Sequence, residues 1–269
     1  MKIALIGTGN LAFHIARGLF KKDITIEVIF GRNIEEGEML AHKFHSKFSR
    51  EFNSDALSKI GIVLIAVSDN AIESIAKQIS PFLKPDALIT HTSGSVPISV
   101  LAQYVDNVGS FYPFQTFTKT DKSLNWKDIS IFLNVETKVA ENLANQKVHL
   151  LRIASVLTEK IFWLKDEDRL FLHIAAIFAH NFSNNFWRIG SEILRSKNLD
   201  FSVVLPILKQ ALAKIDVMSP QQAQTGPAIR GDETVVLKHY HLLQQNFPEF
   251  AELYKVNSLS INPNLVDSW

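Results

Sequence analysis

Lys2-Ile-Ala-Leu-Ile-Gly7-Thr-Gly9-Asn-Leu-Ala12 opens the chain and decides how the rest is read. Ile3 to Ile6 form a short apolar run that enters Gly7, Gly9 and Ala12 without a break. Beyond Ala12, the residues Ile15, Ala16 and Leu19 recur at i+3, i+4 and i+7, the period of an amphipathic helix. Strand, turn and helix in that order are the context in which G-x-G-x-x-A signifies a dinucleotide site. Gly7 permits the tight turn, Gly9 leaves the backbone open to a pyrophosphate, and Ala12 lets the helix pack closely on its strand. The N–H groups of Thr8, Asn10 and Leu11 then face the diphosphate, aided by the helix dipole. The competing reading is a tight strand–helix turn with no ligand.

Composition sets the bounds. At 269 residues the chain exceeds a typical domain of about 100–200 residues, which favours two domains. Its 46% hydrophobic and 20% charged residues suit a globular protein with a good-sized core. A formal net charge of +1 gives no electrostatic case for nucleic acid or an anionic membrane as partner. With no cysteine, disulfides, thiolate metal sites and cysteine nucleophiles are excluded. No apolar run approaches the roughly 20 residues of a membrane span, and the first residues lack a signal-peptide layout. The expectation is a soluble cytoplasmic protein.

Strand patterns at 25–30, 61–67, 87–90, 108–113, 129–134 and 160–164 alternate with helical ones at 34–44, 71–79 and 138–145. This spacing predicts a doubly wound α/β sheet of the Rossmann type. After residue 165 only long helical periods remain, at 170–194, 203–215 and 234–245. The chain is therefore read as a dinucleotide-binding domain over 1–164 and an all-α domain over 165–269. Where an NAD-binding protein usually has an acidic residue, about 20 positions past the glycines, Gly31 is followed by Arg32. A guanidinium there suits a 2′-phosphate, so NADP is expected over NAD. A solvated loop arginine is the alternative.

Ligands of such sheets sit at the carboxyl ends of the strands. That rim carries Ser68 and Asp69, then His91-Thr-Ser93-Gly-Ser95. Ser93 and Ser95 suit either a carboxylate or ribose, or a turn that caps the next helix. His91 is placed to move a proton near neutral pH, or to be hydrogen-bonded into a domain seam. Tyr112, Pro113, Gln115 and Thr116 should lie beside it, or form a loop packed by Phe111, Phe114 and Phe117. On the helix over 170–194 the stripe His173, Ile177, His180, Asn184 and Trp187 threads polar groups through a largely apolar cylinder that is expected to be buried. Buried polar groups need partners, so the stripe should face a ligand, the other domain or a second subunit. Two histidines seven apart without an acidic third ligand do not make a metal site. In Thr225-Gly-Pro-Ala-Ile-Arg230-Gly-Asp232, Asp232 is a natural N-cap. Arg230 either reaches a carboxylate or phosphate or pairs with Asp232 or Glu233.

Taken jointly, these motifs resemble the Rossmann-like proteins with a helical C-terminal domain of unknown function, DUF2520. More distantly the chain is similar to pyrroline-5-carboxylate reductases, F420-dependent NADP reductases and the 6-phosphogluconate and 3-hydroxyacid dehydrogenases. The carriers are Gly7 to Ala12, Ala66 to Asp69, His91 to Ser95, Tyr112 to Phe117, His173 with Asn181, and Thr225 to Asp232. The resemblance implies an NADP-binding reductase whose helical domain forms a homodimer, with an active site between domains. Relatives often place a histidine where this chain has Tyr112. If Asn181 matches the asparagine of 3-hydroxyacid dehydrogenases, their lysine position holds Ile177, which argues against the lysine-dependent hydroxyacid mechanism. The resulting expectation is hydride transfer to a small polar metabolite, with Gly7, Thr8, Gly9, Asn10, Leu11, Arg32, Ser68 and Ser93 on the cofactor. His91, His173, Asn181 and Arg230 are the residues expected on substrate. The alternatives are a catalytically silent NADP(H) sensor and a scaffold dimer.

Overall fold

A strand that is apolar at every position must be covered on both faces. In the computed structural model of the protein, which describes residues 2–268, β1 (Ile3–Ile6) sends Ile3 and Leu5 into one core and Ala4 and Ile6 into another. α1 (Asn10–Phe20) covers the first face with Ala12, Ile15, Ala16 and Leu19. β2 (Val28–Phe30), α2 (Ile34–Lys43), β3 (Lys47–Ser49) and the short α3 (Ser54–Leu57) complete one flank. β4 (Ile62–Ile65), α4 (Asp69–Ile79), β5 (Leu88–His91), α5 (Ser99–Ala102) and β6 (Asn107–Phe114) build the other. β7 (Ser130–Thr137), α6 (Leu143–Ser155) and β8 (Ile161–Trp163) extend it. The strand order is β3-β2-β1-β4-β5-β6-β7-β8. All neighbours are parallel except β6 and β7, whose register runs from Asn107 opposite Thr137 to Phe114 opposite Ser130. The expected doubly wound sheet is thus present. Order reverses between β1 and β4, which makes their carboxyl ends the crevice of the sheet.

Several boundaries differ from the sequence reading. β3 was not anticipated, because Lys-Phe-Ser carries no apolar run. The helix expected over 138–145 begins later, at Leu143, since β7 continues through Thr137, whose hydroxyl donates to Asn107 Oδ1 at 2.8 Å. The long helix expected over 170–194 is two helices, α7 (Asp166–Ala176) and α8 (Ser183–Arg195), joined by a π-helical segment at Ile177–Phe182. The wider turn shifts the helical phase, so the stripe drawn from His173 to Trp187 does not stay on one face. His180, Asn181 and Asn184 are exposed rather than buried.

The chain divides into two compact units, Met1–Ile177 and Phe178–Trp269. The change of pattern at residue 165 is not the division, because α7 belongs with the sheet through the contacts of Asp166 and Arg169 described below. In the second unit, α9 (Leu205–Ile215), α10 (Pro220–Ala223), α11 (Pro227–Arg230), α12 (Glu233–Asn246) and α13 (Pro248–Ile261) follow α8. α13 had not been anticipated. A small core gathers Ala228, Val236 and Leu265 with Tyr254 and Leu259, while Phe178, Ile207, Leu212, Val217 and Val256 stay exposed.

Candidate functional site

The β1–α1 turn is shaped by two glycines with opposite roles. Gly7 has φ +124°, and a Cβ there would stand 2.2 Å from the Ala66 carbonyl oxygen; its N–H donates to Phe30 O at 2.8 Å. Gly7 therefore fits the backbone against β4. Gly9 answers to no such demand, since a Cβ on it would meet no protein atom within 4 Å. It stands at the N-terminus of α1, where no side chain caps the helix and the first turn carries no acidic residue. Uncapped N–H groups and the dipole together favour an anion at that point.

A cleft of about 1100 Å³ opens over this turn. Gly7, Thr8, Gly9, Asn10, Leu11, Arg32 and Ser68 line it, so every expected cofactor residue except Ser93 is brought together there. At the β2–β3 side Arg32 is joined by Arg50, which the sequence reading missed because β3 was unrecognised. Asn33 caps α2 by accepting from Glu36 N–H at 3.2 Å. Glu36 also lines the cleft, but its carboxylate is engaged by Lys119 Nζ at 3.3 Å and by the Thr8 hydroxyl at 3.4 Å.

The loop after β5 is built differently. Ser93, expected on the cofactor, accepts at Oγ from the N–H groups of Ser95 and Val96 at 3.1 and 3.0 Å, the turn role held as its alternative. Ser95 Oγ donates to Asp69 Oδ2 at 2.5 Å. His91, expected to move a proton, has no exposed surface. Its Nδ1 accepts from Ser93 N–H at 3.2 Å, which places the proton of the neutral ring on Nε2. Burial, then the Arg169 guanidinium, hold its pKa down at about 4, although Asp166, Asp69 and the backbone at Pro97 pull upward. Near neutral pH the ring is uncharged and sealed from solvent.

Beneath this loop lies an ion pair that the sequence reading passed over, its arginine buried and its aspartate half-buried. Arg169 donates from Nη1 to Asp166 Oδ1 at 2.6 Å and to Ser110 Oγ at 2.8 Å, and from Nη2 to the Val96 carbonyl. Asp166 Oδ2 accepts from Ile98 N–H at 2.7 Å. The available signal was Asp and Arg three apart at a helix start, which is common on solvated helices. α7 is thereby fastened to β6 and to the 93–98 loop. Further along α7, His173 Nδ1 lies 3.1 Å from Tyr112 Oη. Gly94 makes room for both: a Cβ there would approach His173 Nδ1 to 2.7 Å and Tyr112 Cζ to 2.9 Å.

This geometry can be set beside known proteins. The family described as NADP oxidoreductase, coenzyme F420-dependent, matches residues 2–94, and the domain of unknown function DUF2520 matches residues 139–261. A Bacteroides fragilis protein provisionally named an NADP oxidoreductase is 33% identical; the match covers 97% of this chain and 98% of that one, with a TM-score of 0.84. The chain belongs to this family of NADP-oxidoreductase-like Rossmann proteins with a DUF2520 domain. Among curated proteins, pyrroline-5-carboxylate reductase of Pseudomonas aeruginosa is 24% identical over 173 residues, 63% of this chain. That match spans 59% of the reductase's length. An imine reductase from Myxococcus stipitatus, solved with NADP+, shares the fold at 12% identity and a TM-score of 0.64, over 100% of this chain and 94% of that one.

Two residues expected on substrate lie in the DUF2520 match beyond the first unit. Asn181 sits exposed in the π-helical segment. Arg230 is also exposed, and its Nε and Nη2 are 2.9 and 2.8 Å from Asp232 Oδ2. Asp232 gives α12 no side-chain cap, because its carboxylate is taken up by that arginine. Among the described residues no cluster of three or more histidine, aspartate or glutamate side chains is arranged to hold a metal ion. Nor is any helix among them long and apolar enough to cross a membrane.

Proposed function

We propose that this family member is an NADP-dependent oxidoreductase that transfers a hydride between the nicotinamide and a small polar metabolite. The carrying observation is Gly9, bare of side chain where no neighbouring protein atom requires it, at the uncapped start of α1. The pyrophosphate is held by the backbone from Thr8 to Leu11. The 2′-phosphate is held by Arg32 and Arg50, two guanidinium groups on one side of the cleft. The oxidoreductases named above support the same cofactor class, and Ser68 lies toward its nicotinamide end. Ser93 and His91 shape the neighbouring loop rather than touch the ligand. His173, on α7, is assigned to the substrate end.

Fluorescence titration tests this directly. NADPH saturates the protein and binds more tightly than NADH; Arg32→Ala weakens NADPH more than NADH. Gly9→Ala weakens both about 100-fold or more while leaving the unfolding temperature unchanged. Absence of saturable binding by either dinucleotide overturns the reading. NADPH oxidation against imines, keto acids and aldehydes then seeks the substrate class; tight binding without turnover on any of them replaces the enzyme with an NADP(H) sensor.

The protein is further proposed to act as a homodimer through its helical unit. Apolar side chains left in water support this, with Phe178, Ile207 and Val217 exposed by 66, 68 and 80%. Sedimentation should give twice the chain mass; a monomer at micromolar concentration removes the proposal.

A further inference from the structure

Hydride transfer to a polarised C=N or C=O bond leaves the heteroatom needing a proton, and the rim of β4, β5 and β6 offers few groups able to give one. Most protic side chains there are committed. Thr90 Oγ1 donates to Val63 O at 3.0 Å and Thr92 Oγ1 to Ile65 O at 3.4 Å. Ser95 donates to Asp69, Ser93 is taken up in its turn, and Ser110 accepts from Arg169. His91 is sealed and neutral. Ser68 lines the cleft, but an aliphatic hydroxyl is a poor acid near neutral pH.

Tyr112 remains. Its phenol is half-buried, as is the His173 ring whose Nδ1 it meets at 3.1 Å. The residue lies past the end of β5, where His91 pairs with Ser110, and so stands beside Ser93 and Gly94. It is two strands from β4, about 10 Å at ordinary strand spacing. That is the side of the crevice opposite Arg32 and Arg50, where the cofactor reading puts the nicotinamide end. Gly94 is required by this arrangement, because any side chain on it would push the phenol and the imidazole apart.

Resting on the cofactor reading above, we infer that Tyr112 donates the proton that completes reduction, with His173 as the positioning residue that holds the phenol and relays its replacement. As the hydride bonds to the carbon of the C=X group, the π pair moves to X and takes the proton from Tyr112 Oη. The phenolate accepts a hydrogen bond from His173 Nδ1–H and recovers its proton through that ring from solvent. One hydride and one proton are added, and the nicotinamide is the species oxidised. The charged groups acting on the phenol are Asp69, which raises its pKa, and Arg169, which lowers it; burial, the largest influence, raises it. The phenol therefore stays protonated at neutral pH, as a donor must.

The pair is read first without turnover. Ultraviolet difference titration of wild type against Tyr112→Phe isolates this phenol among the four tyrosines. It titrates above the ordinary value of about 10 and moves further up in His173→Phe, which removes the N–H that stabilises the phenolate. A phenol that titrates identically in both overturns the relay. With a substrate from the panel, Tyr112→Phe lowers kcat about 100-fold or more and leaves the NADPH Kd unchanged. Gly94→Ala lowers kcat in the same way. His173→Asn, which keeps an N–H at the Nδ1 position, retains more of kcat than His173→Phe. Wild-type kcat in Tyr112→Phe overturns the inference. Failure of the cofactor reading looks different: the wild type then binds neither dinucleotide.

Discussion

The loops after β1 and β5 leave the same edge of the same sheet, and they are opposites in construction. After β1 Gly7 and Gly9 leave the backbone bare on either side of Thr8, α1 begins without a cap, and the space above Gly9 is open. After β5 the loop's own serines and backbone take up most of its polar groups, and the buried exceptions are His91 Nε2 and Arg169 Nε. Ser93 and Ser95 close the turn, His91 supports it from below, and Arg169 with Asp166 fastens it to α7. Read together, the two loops show that richness in serine, threonine and histidine is a poor guide to a ligand. A better one is backbone whose hydrogen-bonding groups the fold leaves unmet.

The contrast is tested most severely at Arg169. Arg169→Met takes the guanidinium from the Val96 carbonyl, Ser110 and the Asp166 carboxylate, which keeps only Ile98 N–H and Asn134 Nδ2 as donors, and should cost about 3–5 kcal/mol in chemical denaturation. A loss below 1 kcal/mol would mean that the loop after β5 is not held from within. Gly7→Ala comes next. The clash with Ala66 and the positive φ should cost roughly 2–4 kcal/mol, visible as a large fall in Tm. Gly9→Ala, two residues away, should leave Tm unchanged yet weaken NADPH about 100-fold or more, because only the ligand notices the methyl.

His91 sharpens the comparison through pH. Its folded pKa of about 4 lies below the ordinary 6.5, so between these values the unfolded chain binds more protons than the folded one. The stabilisation is complete above about pH 6.5, falls as pH drops toward 4, and is then exhausted. It amounts to at most roughly 3 kcal/mol. His91→Asn, whose Oδ1 can still accept from Ser93 N–H, should remove that slope from a plot of Tm against pH. The smallest effect belongs to Arg230→Ala: an exposed pair contributes about 0–1 kcal/mol, and substrate KM should hardly change.

The parts legible in the sequence were those fixed by local chemistry. Gly7, Gly9 and Ala12 after a run of four apolar residues gave the turn, and the seven expected cofactor residues that line the cleft are all near a recognisable strand end. Arg50 was missed because β3 is held by pairing with β2 rather than by its own composition. The Asp166–Arg169 pair was missed because its partners are 32 to 73 residues away in sequence. His91 was misjudged because a histidine at a strand end looks alike whether open or sealed; its exposure is set by what packs over it. On the long helix, one π-helical segment was enough to turn a single polar stripe into two unrelated ones.

One plain feature of the sheet bears on how the molecule can associate. Its outermost strands, β3 and β8, are three residues each, and Lys47 stands charged in the first. Neither margin presents enough unpaired backbone to recruit a foreign strand. Fibrillar growth along the sheet is thereby denied a starting template.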